Sequence, residues 1–212
     1  MIADKKLEKY ILEHSSAEDP VLEDLYRQTY LRFVNPNMLT GHLQGKFLEF
    51  LSRMINPELI LEIGTFTGYS AICLAKGLKP GGKLYTIEIN DEMSEFSHSY
   101  FCKAGAESKI VQLTGRAQEI IPALDLQFGL AYIDGDKREY AEYYKITLPR
   151  LRQGGIIIAD NVLWGNKVLD RNTKDPQTRG IIEFNELIRK DKNTEKLILP
   201  VRDGVMLIRK LN

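Results

Sequence analysis

The chain has 212 residues, 43% of them hydrophobic and 27% charged, which suits one ordinary globular domain with a sizeable core. Lysine plus arginine equals aspartate plus glutamate at 29 each, so the chain lacks the basic excess that grips nucleic acid or an anionic membrane. A small, weakly charged substrate is therefore expected, with no nucleic-acid and no membrane partner.

Residues 3–13, 19–33 and 41–55 read as helices, punctuated by Pro20 and by Asn35-Pro36, and carry no strand pattern. From residue 58 onward, short β-rich runs alternate with helix-length amphipathic runs. Strands are predicted at 59–63, 83–89, 109–114, 128–134 and 155–160, with helices at 68–78, 91–104, 117–123 and 138–151. Each strand is a near-continuous apolar run, as expected of a parallel sheet covered by helices on both faces. The stretch 165–178, with Asn166, Lys167, Asp170, Arg171 and Lys174, reads as a polar loop. At the end, runs 196–201 and 205–209 flank Arg202-Asp203-Gly204, a tight-hairpin signal. The fold class is thus α/β: a Rossmann-like, seven-stranded, mostly parallel sheet ending in an antiparallel hairpin. Residues 1–55 form an N-terminal helical extension of this single domain, and 56–212 its core. The two cysteines, Cys73 and Cys102, lack the paired spacing of a zinc site, no apolar run could span a bilayer, and no signal peptide is visible. A reduced, cytoplasmic setting follows.

The first β run ends in Leu61-Glu62-Ile63-Gly64-Thr65-Phe66-Thr67-Gly68-Tyr69-Ser70 and enters a helix, so its glycines lie at a strand-to-helix turn that a ligand can approach. Glu88 ends the second run, 20 residues after Gly68, where an acid bonds ribose hydroxyls. Gly64 and Gly68 fall short of a full dinucleotide fingerprint. Glu62, just before the loop, would repel a diphosphate but could hold an ammonium. The set favours S-adenosylmethionine over NAD, although glycine turns and strand-end acids also occur without any cofactor.

Ligands of open α/β sheets bind at the carboxyl ends of the strands. There the fourth strand finishes in Asp134-Gly135-Asp136-Lys137, and the fifth in Asp160-Asn161-Val162-Leu163-Trp164. Adjacent strands would bring Asp134, Asp160 and Asn161 together as an all-oxygen set suited to Mg²⁺ or to another divalent cation such as Mn²⁺ or Ca²⁺. A lone aspartate at a strand end more often caps a helix. His14, His42 and His98 lie in helical stretches away from these turns, as solvated or capping residues.

These residues resemble the cation-dependent O-methyltransferases of catechol and caffeoyl-coenzyme-A type. The resemblance covers residues 38–210 and runs through Met38 to Gly41, Leu61 to Ser70, Tyr85 to Glu88, Gly115 to Gln118, Ile133 to Lys137, Asp160 to Trp164 and Asp203 to Val205. It implies that Met38 and Thr40 close over the methionine end of S-adenosylmethionine. Glu62, Gly64 and Ser70 would hold its amino-acid part, Glu88 its ribose, and Ala117 and Gln118 its adenine. Asp134, Asp160 and Asn161 match the metal ligands, with Asp134 also bordering the cofactor, and Lys137 matches a general base. A homodimer is implied as well. Gly135-Asp136 replaces the His-Trp of the mammalian catechol enzymes, so an aromatic wall is missing there. Trp164 could pack on an aromatic acceptor or serve as a structural tryptophan.

The implied reaction moves a methyl group to one hydroxyl of a vicinal phenolic diol. A phenol ionises at about 10, so chelation of both oxygens and a nearby base would supply the nucleophile. Two other readings compete. An NAD-dependent reductase would need a tyrosine-lysine hydride site, and Tyr140 and Tyr144 fit one face of a helix better than catalysis. A nucleotide-sensing module would leave the acids unexplained.

Overall fold

The computed structural model describes residues 5–212. Ala3 and Asp4, in the first predicted helix, lie outside them. Three helices come first: α1 (Lys5–Glu13), α2 (Pro20–Arg32) and α3 (His42–Ile55). Asp19 caps α2, accepting the Val21 N–H at 3.0 Å, with Pro20 in the first turn, where its missing donor costs nothing. Asn56 ends α3 in the left-handed conformation and donates its N–H to the Ser52 carbonyl.

The alternation that follows is β1 (Leu59–Ile63), α4 (Tyr69–Ala75), β2 (Lys83–Glu88), α5 (Ser94–Lys103), β3 (Ile110–Thr114), α6 (Ala117–Ala123), β4 (Phe128–Ile133), α7 (Tyr140–Thr147), β5 (Leu151–Ala159), α8 (Pro176–Lys190), β6 (Thr194–Leu199) and β7 (Val205–Lys210). The strands form one seven-stranded sheet in the order β3-β2-β1-β4-β5-β7-β6. Strands β1 to β5 are parallel, and β7 inserts antiparallel between β5 and β6. Strand order reverses between β1 and β4, which opens a crevice at their carboxyl ends.

Period-two alternation sorts the side chains into two cores. Ile60, Leu84, Leu130, Tyr132 and Ile158 pack with Leu25, Leu48, Ile72 and Phe101 on one face. Leu61, Ile87, Ile133 and Ile157 pack with Ile121, Tyr140, Phe184 and Ile188 on the other. Burial of each such side chain stabilises the fold by about 1.5–3 kcal/mol. No helix among the described residues is long and apolar enough to cross a membrane.

Several boundaries differ from expectation, most of all around β5 and α8. The stretch read as a polar loop begins with a 3-10 turn, Trp164–Leu169, and its last residues start α8. Asp175 caps α8 by accepting the Thr178 N–H at 3.2 Å, and Thr178, Ile181, Phe184 and Ile188 form the buried stripe. The helix expected over 138–151 is split into a 3-10 turn at Lys137–Glu139, α7, and a second 3-10 turn at Leu148–Arg150. Pro149 cannot continue the helical ladder, and Leu151 already belongs to β5.

Candidate active site

The carboxyl ends of the central strands are in register. Ile63 pairs with Ile87 and Ile133, and Ile133 with Ala159. The next residue of each strand extends the ladder: Gly64 N donates to the Ile87 carbonyl at 3.0 Å, Asp134 N to Ile63 at 2.9 Å and Asp160 N to Ile133 at 3.0 Å. Glu62, Gly64, Glu88, Asp134 and Asp160 therefore share one edge. Phe66, Asn161, Trp164 and Arg202, none of them glycine, all hold positive φ in the loops along that edge. Backbone strain of this kind collects at functional sites.

On the β1–β2 side, Glu62 is fully buried. Its Oε2 accepts from the Thr86 hydroxyl at 2.6 Å, whereas Oε1 is enclosed with no partner. Burial pushes its pKa up to about 8, opposed by hydrogen bonds from Thr86 and Ser70 and reinforced by the charges of Asp134 and Glu88. An orphaned oxygen on such an acid fits a cationic ligand group. Glu88 accepts the backbone N–H groups of Phe66 at 2.8 Å and Asn90 at 3.1 Å, one on each oxygen, which leaves a lone pair on each for a hydroxyl. Ser70 lies buried in the first turn of α4, and buried Ala117 and half-buried Gln118 open α6. Met38 is exposed in the 3-10 turn Pro36–Met38, while Thr40 is buried and its carbonyl accepts from Arg202.

Gly64 has a reason the sequence did not disclose. At φ +99, a Cβ there would collide with the Asp134 carbonyl oxygen, so the neighbouring backbone, as well as any ligand, demands glycine. Gly64→Ala is expected to cost about 3 kcal/mol, lowering the thermal midpoint by roughly 6–12 °C for a chain of this size. Circular dichroism melting checks this, and an unshifted midpoint would show that the β1 and β4 ends do not approach so closely.

On the β4–β5 side, Asp134 Oδ1 accepts from Lys137 Nζ at 2.7 Å, and Lys137 is only 7% exposed. Burial raises the Asp134 pKa to about 6; the charge of Lys137 opposes the shift and that of Asp160 adds to it. Lys137 Nζ also donates to the Tyr140 hydroxyl at 2.7 Å, which in turn reaches the carbonyls of Ile133 and Asp160. Asp160 is buried. Its Oδ1 accepts the Asn161 N–H at 2.8 Å, and its Oδ2 accepts from the Tyr132 hydroxyl at 3.1 Å and from Gln44 Nε2. Tyr132 also lies 3.4 Å from Asp134 Oδ2, so one hydroxyl spans two neighbouring carboxylates. Such a pair repels itself when ionised, and hard oxygens of this number fit a small divalent cation. The Trp164 ring lies 6.0 Å from Lys137 Nζ, and its indole N–H is buried without a partner. Beside Gly135, the space a larger side chain would take holds the Tyr143 ring.

Gln44, Tyr132, Tyr140 and Arg202 were not picked out by sequence reasoning as parts of this site. The visible cue was a polar residue inside an apolar period, Gln44 in α3 and the hydroxyl of Tyr132 in β4. His14 Nδ1 lies 2.8 Å from the Tyr10 carbonyl and His42 Nε2 lies 3.0 Å from that of Ser16. His98 and Cys102 do approach Glu107, at 3.6 Å between Cys102 Sγ and His98 Nε2 and 3.8 Å between His98 Nε2 and Glu107 Oε1, but on the exposed surface near the start of β3.

A Rossmann-like sheet whose last strand is reversed between β5 and β6, with an acid closing each of β1 and β2, defines the class of S-adenosylmethionine-dependent methyltransferases. Within it, the sequence profile described as O-methyltransferase matches residues 12–211, and the chain belongs to that family. Its relatives include a catechol O-methyltransferase of Niastella koreensis, 35% identical over 170 residues, covering 78% of this chain and 74% of the relative. A probable caffeoyl-CoA O-methyltransferase of Dictyostelium discoideum is 31% identical over 209 residues, covering 96% and 90%. Among solved structures, the O-methyltransferase TomG of Streptomyces achromogenes, involved in tomaymycin synthesis and bound to S-adenosylmethionine, superposes with a TM-score of 0.93 at 30% identity over the whole of both chains. A Bacillus cereus O-methyltransferase bound to S-adenosylhomocysteine gives 0.88 at 28% identity over 97% of each chain. The chain is an S-adenosylmethionine-dependent O-methyltransferase.

Proposed function

We propose that this enzyme methylates one hydroxyl of a vicinal diol on a catechol-like or hydroxycinnamoyl-type small molecule, using a divalent cation held by Asp134, Asp160 and Asn161. The observation that carries the reading is the pair of carboxylates, half-buried Asp134 and buried Asp160, at adjacent strand ends beside the buried Lys137. The names of the catechol and caffeoyl-CoA relatives support the acceptor class.

S-adenosylmethionine supplies a methyl group already activated on its sulfonium, so the protein must chiefly position and deprotonate. A divalent cation, Mg²⁺ or a substitute, supplies Lewis-acid stabilisation of an oxyanion. Glu62, through its orphaned Oε1, holds the ammonium of the methionine part, with Ser70 and the Gly64 backbone alongside. Glu88 takes the ribose hydroxyls, Ala117 and Gln118 border the adenine, and Met38 and Thr40 close over the methionine end. Lys137 in its amine form accepts the acceptor's proton at Nζ, and the Tyr140 hydroxyl fixes that nitrogen in place. Trp164 lines the acceptor side, facing Lys137. A homodimer would cover apolar side chains exposed around α2, Leu31 and Val34 among them.

Mass-spectrometric assay of methyl transfer to catechol and caffeate tests the reading. Excess chelator is expected to lower the rate at least about 100-fold, and Mg²⁺ to restore it. Full turnover in chelator would overturn the metal, and turnover on isolated but not vicinal hydroxyls would overturn the diol.

A further inference from the structure

Both oxygens of Asp160 are engaged, but unequally. Oδ1 accepts one bond, from Asn161 N, whereas Oδ2 accepts two, from Tyr132 and Gln44. A carboxylate oxygen offers about two lone-pair directions, so Oδ2 is saturated and Oδ1 retains one. Gln44 is 2% exposed, and the orientation of its amide is set from the other side. The Arg202 guanidinium donates to Gln44 Oε1 and to the Thr40 carbonyl, which leaves the Gln44 NH₂ facing Asp160 and Tyr132. Arg202 itself sits at φ +50 in the β6–β7 turn, a backbone conformation costly for a non-glycine residue.

We propose that Gln44, locked by Arg202 and assisted by Tyr132, is a positioning residue that confines Asp160 to one metal-ligating oxygen and so selects a small octahedral cation over Ca²⁺. The inference rests on the reading of Asp134, Asp160 and Asn161 as metal ligands. Mg²⁺ demands near-octahedral oxygens at about 2.0–2.1 Å, whereas Ca²⁺ takes 6–8 oxygens at roughly 2.3–2.6 Å and welcomes bidentate carboxylates. A carboxylate with one oxygen already saturated serves the first and handicaps the second. Hydrogen-bond partners behind a metal ligand also fix its direction, and their loss typically weakens metal binding about 10–100-fold.

Calorimetric titration of the whole enzyme with Mn²⁺, an all-oxygen octahedral stand-in for Mg²⁺, and with Ca²⁺, both in the presence of S-adenosylhomocysteine, tests this. The parent is expected to bind one Mn²⁺ at a site that Asp160→Ala removes, and to prefer it to Ca²⁺. Gln44→Leu should weaken Mn²⁺ about 10–100-fold and Ca²⁺ far less, collapsing the preference. Arg202→Ala, a change at an exposed residue that spares the core, should move the ratio in the same direction by a smaller factor, and it decides the matter if Gln44→Leu does not fold. A parent with no Mn²⁺ site sensitive to Asp160→Ala would sink the metal reading and this inference with it. A parental Mn²⁺/Ca²⁺ ratio in the folded variants, with the site present in the parent, would overturn the selectivity device alone.

Discussion

Asp160→Ala should lower methyl transfer on the order of 10³-fold while leaving S-adenosylmethionine affinity within about threefold of the parent, because a Lewis acid contributes several kcal/mol and each 1.4 kcal/mol is tenfold. The two effects separate because of where the residue sits. Asp160 ends β5, on the far side of Asp134 from Glu62, and its bonds go to Asn161, Tyr132 and Gln44 rather than to the groups assigned to the cofactor. Stability should change little, since two consequences oppose each other. Removing Asp160 relieves repulsion against Asp134 and leaves the Gln44 and Tyr132 donors without their acceptor. Single-turnover rates and calorimetric titration with S-adenosylmethionine, run on the same preparation, give both quantities. Parental turnover would remove Asp160 from the site, and an equal loss of cofactor affinity would assign it a structural part instead.

What could be read from the sequence followed from locality. The strands were legible because each is a continuous apolar run, and the acids at their ends because a parallel sheet places every carboxyl end on one edge. Helix α8 escaped notice because a polar stretch precedes it and drew the boundary too late. The Asp175-Pro176 start and the spacing of Thr178, Ile181, Phe184 and Ile188 were nonetheless present. That helix also matters for the site: a Cβ at Gly180 would strike the Lys137 carbonyl, so α8 packs directly on the turn that carries the lysine. The early start of β5 was hidden by exposed Arg152, Gln153 and Gly154, which lie where the pairing with β4 shifts register. The contacts of Gln44 with Asp160 and of Arg202 with Gln44 join residues more than a hundred positions apart, and no local pattern announces them. Likewise, Gly64 read as an opening for a ligand, and only the pairing of β1 with β4 reveals that Asp134 needs the space.

Glu62→Gln should weaken S-adenosylmethionine binding on the order of 100-fold at pH 8, since breaking one side of a buried charged pair costs about 2–5 kcal/mol. The size of the effect depends on pH, and the sign can be worked out. In the cofactor-free enzyme, burial raises this carboxyl from its ordinary 4.5 to about 8, so at pH 7 it is mostly protonated. An ammonium on Oε1 favours the carboxylate, and binding therefore expels a proton. Parental affinity should climb as pH rises toward 8, while the glutamine variant, with nothing to lose, should stay nearly flat, so the gap between them narrows at pH 6. The same shift acts on folding in the opposite sense. The folded chain holds a proton that the unfolded chain releases above its lower pKa, so the cofactor-free enzyme loses stability as pH rises from about 4.5 through 8, a slope that Glu62→Gln should flatten. Calorimetry at pH 7 in two buffers of different ionisation enthalpy decides the matter. The parent should release close to one proton per cofactor bound and the variant none, whereas proton-free binding by the parent would mean that the orphaned oxygen of Glu62 does not receive the ammonium.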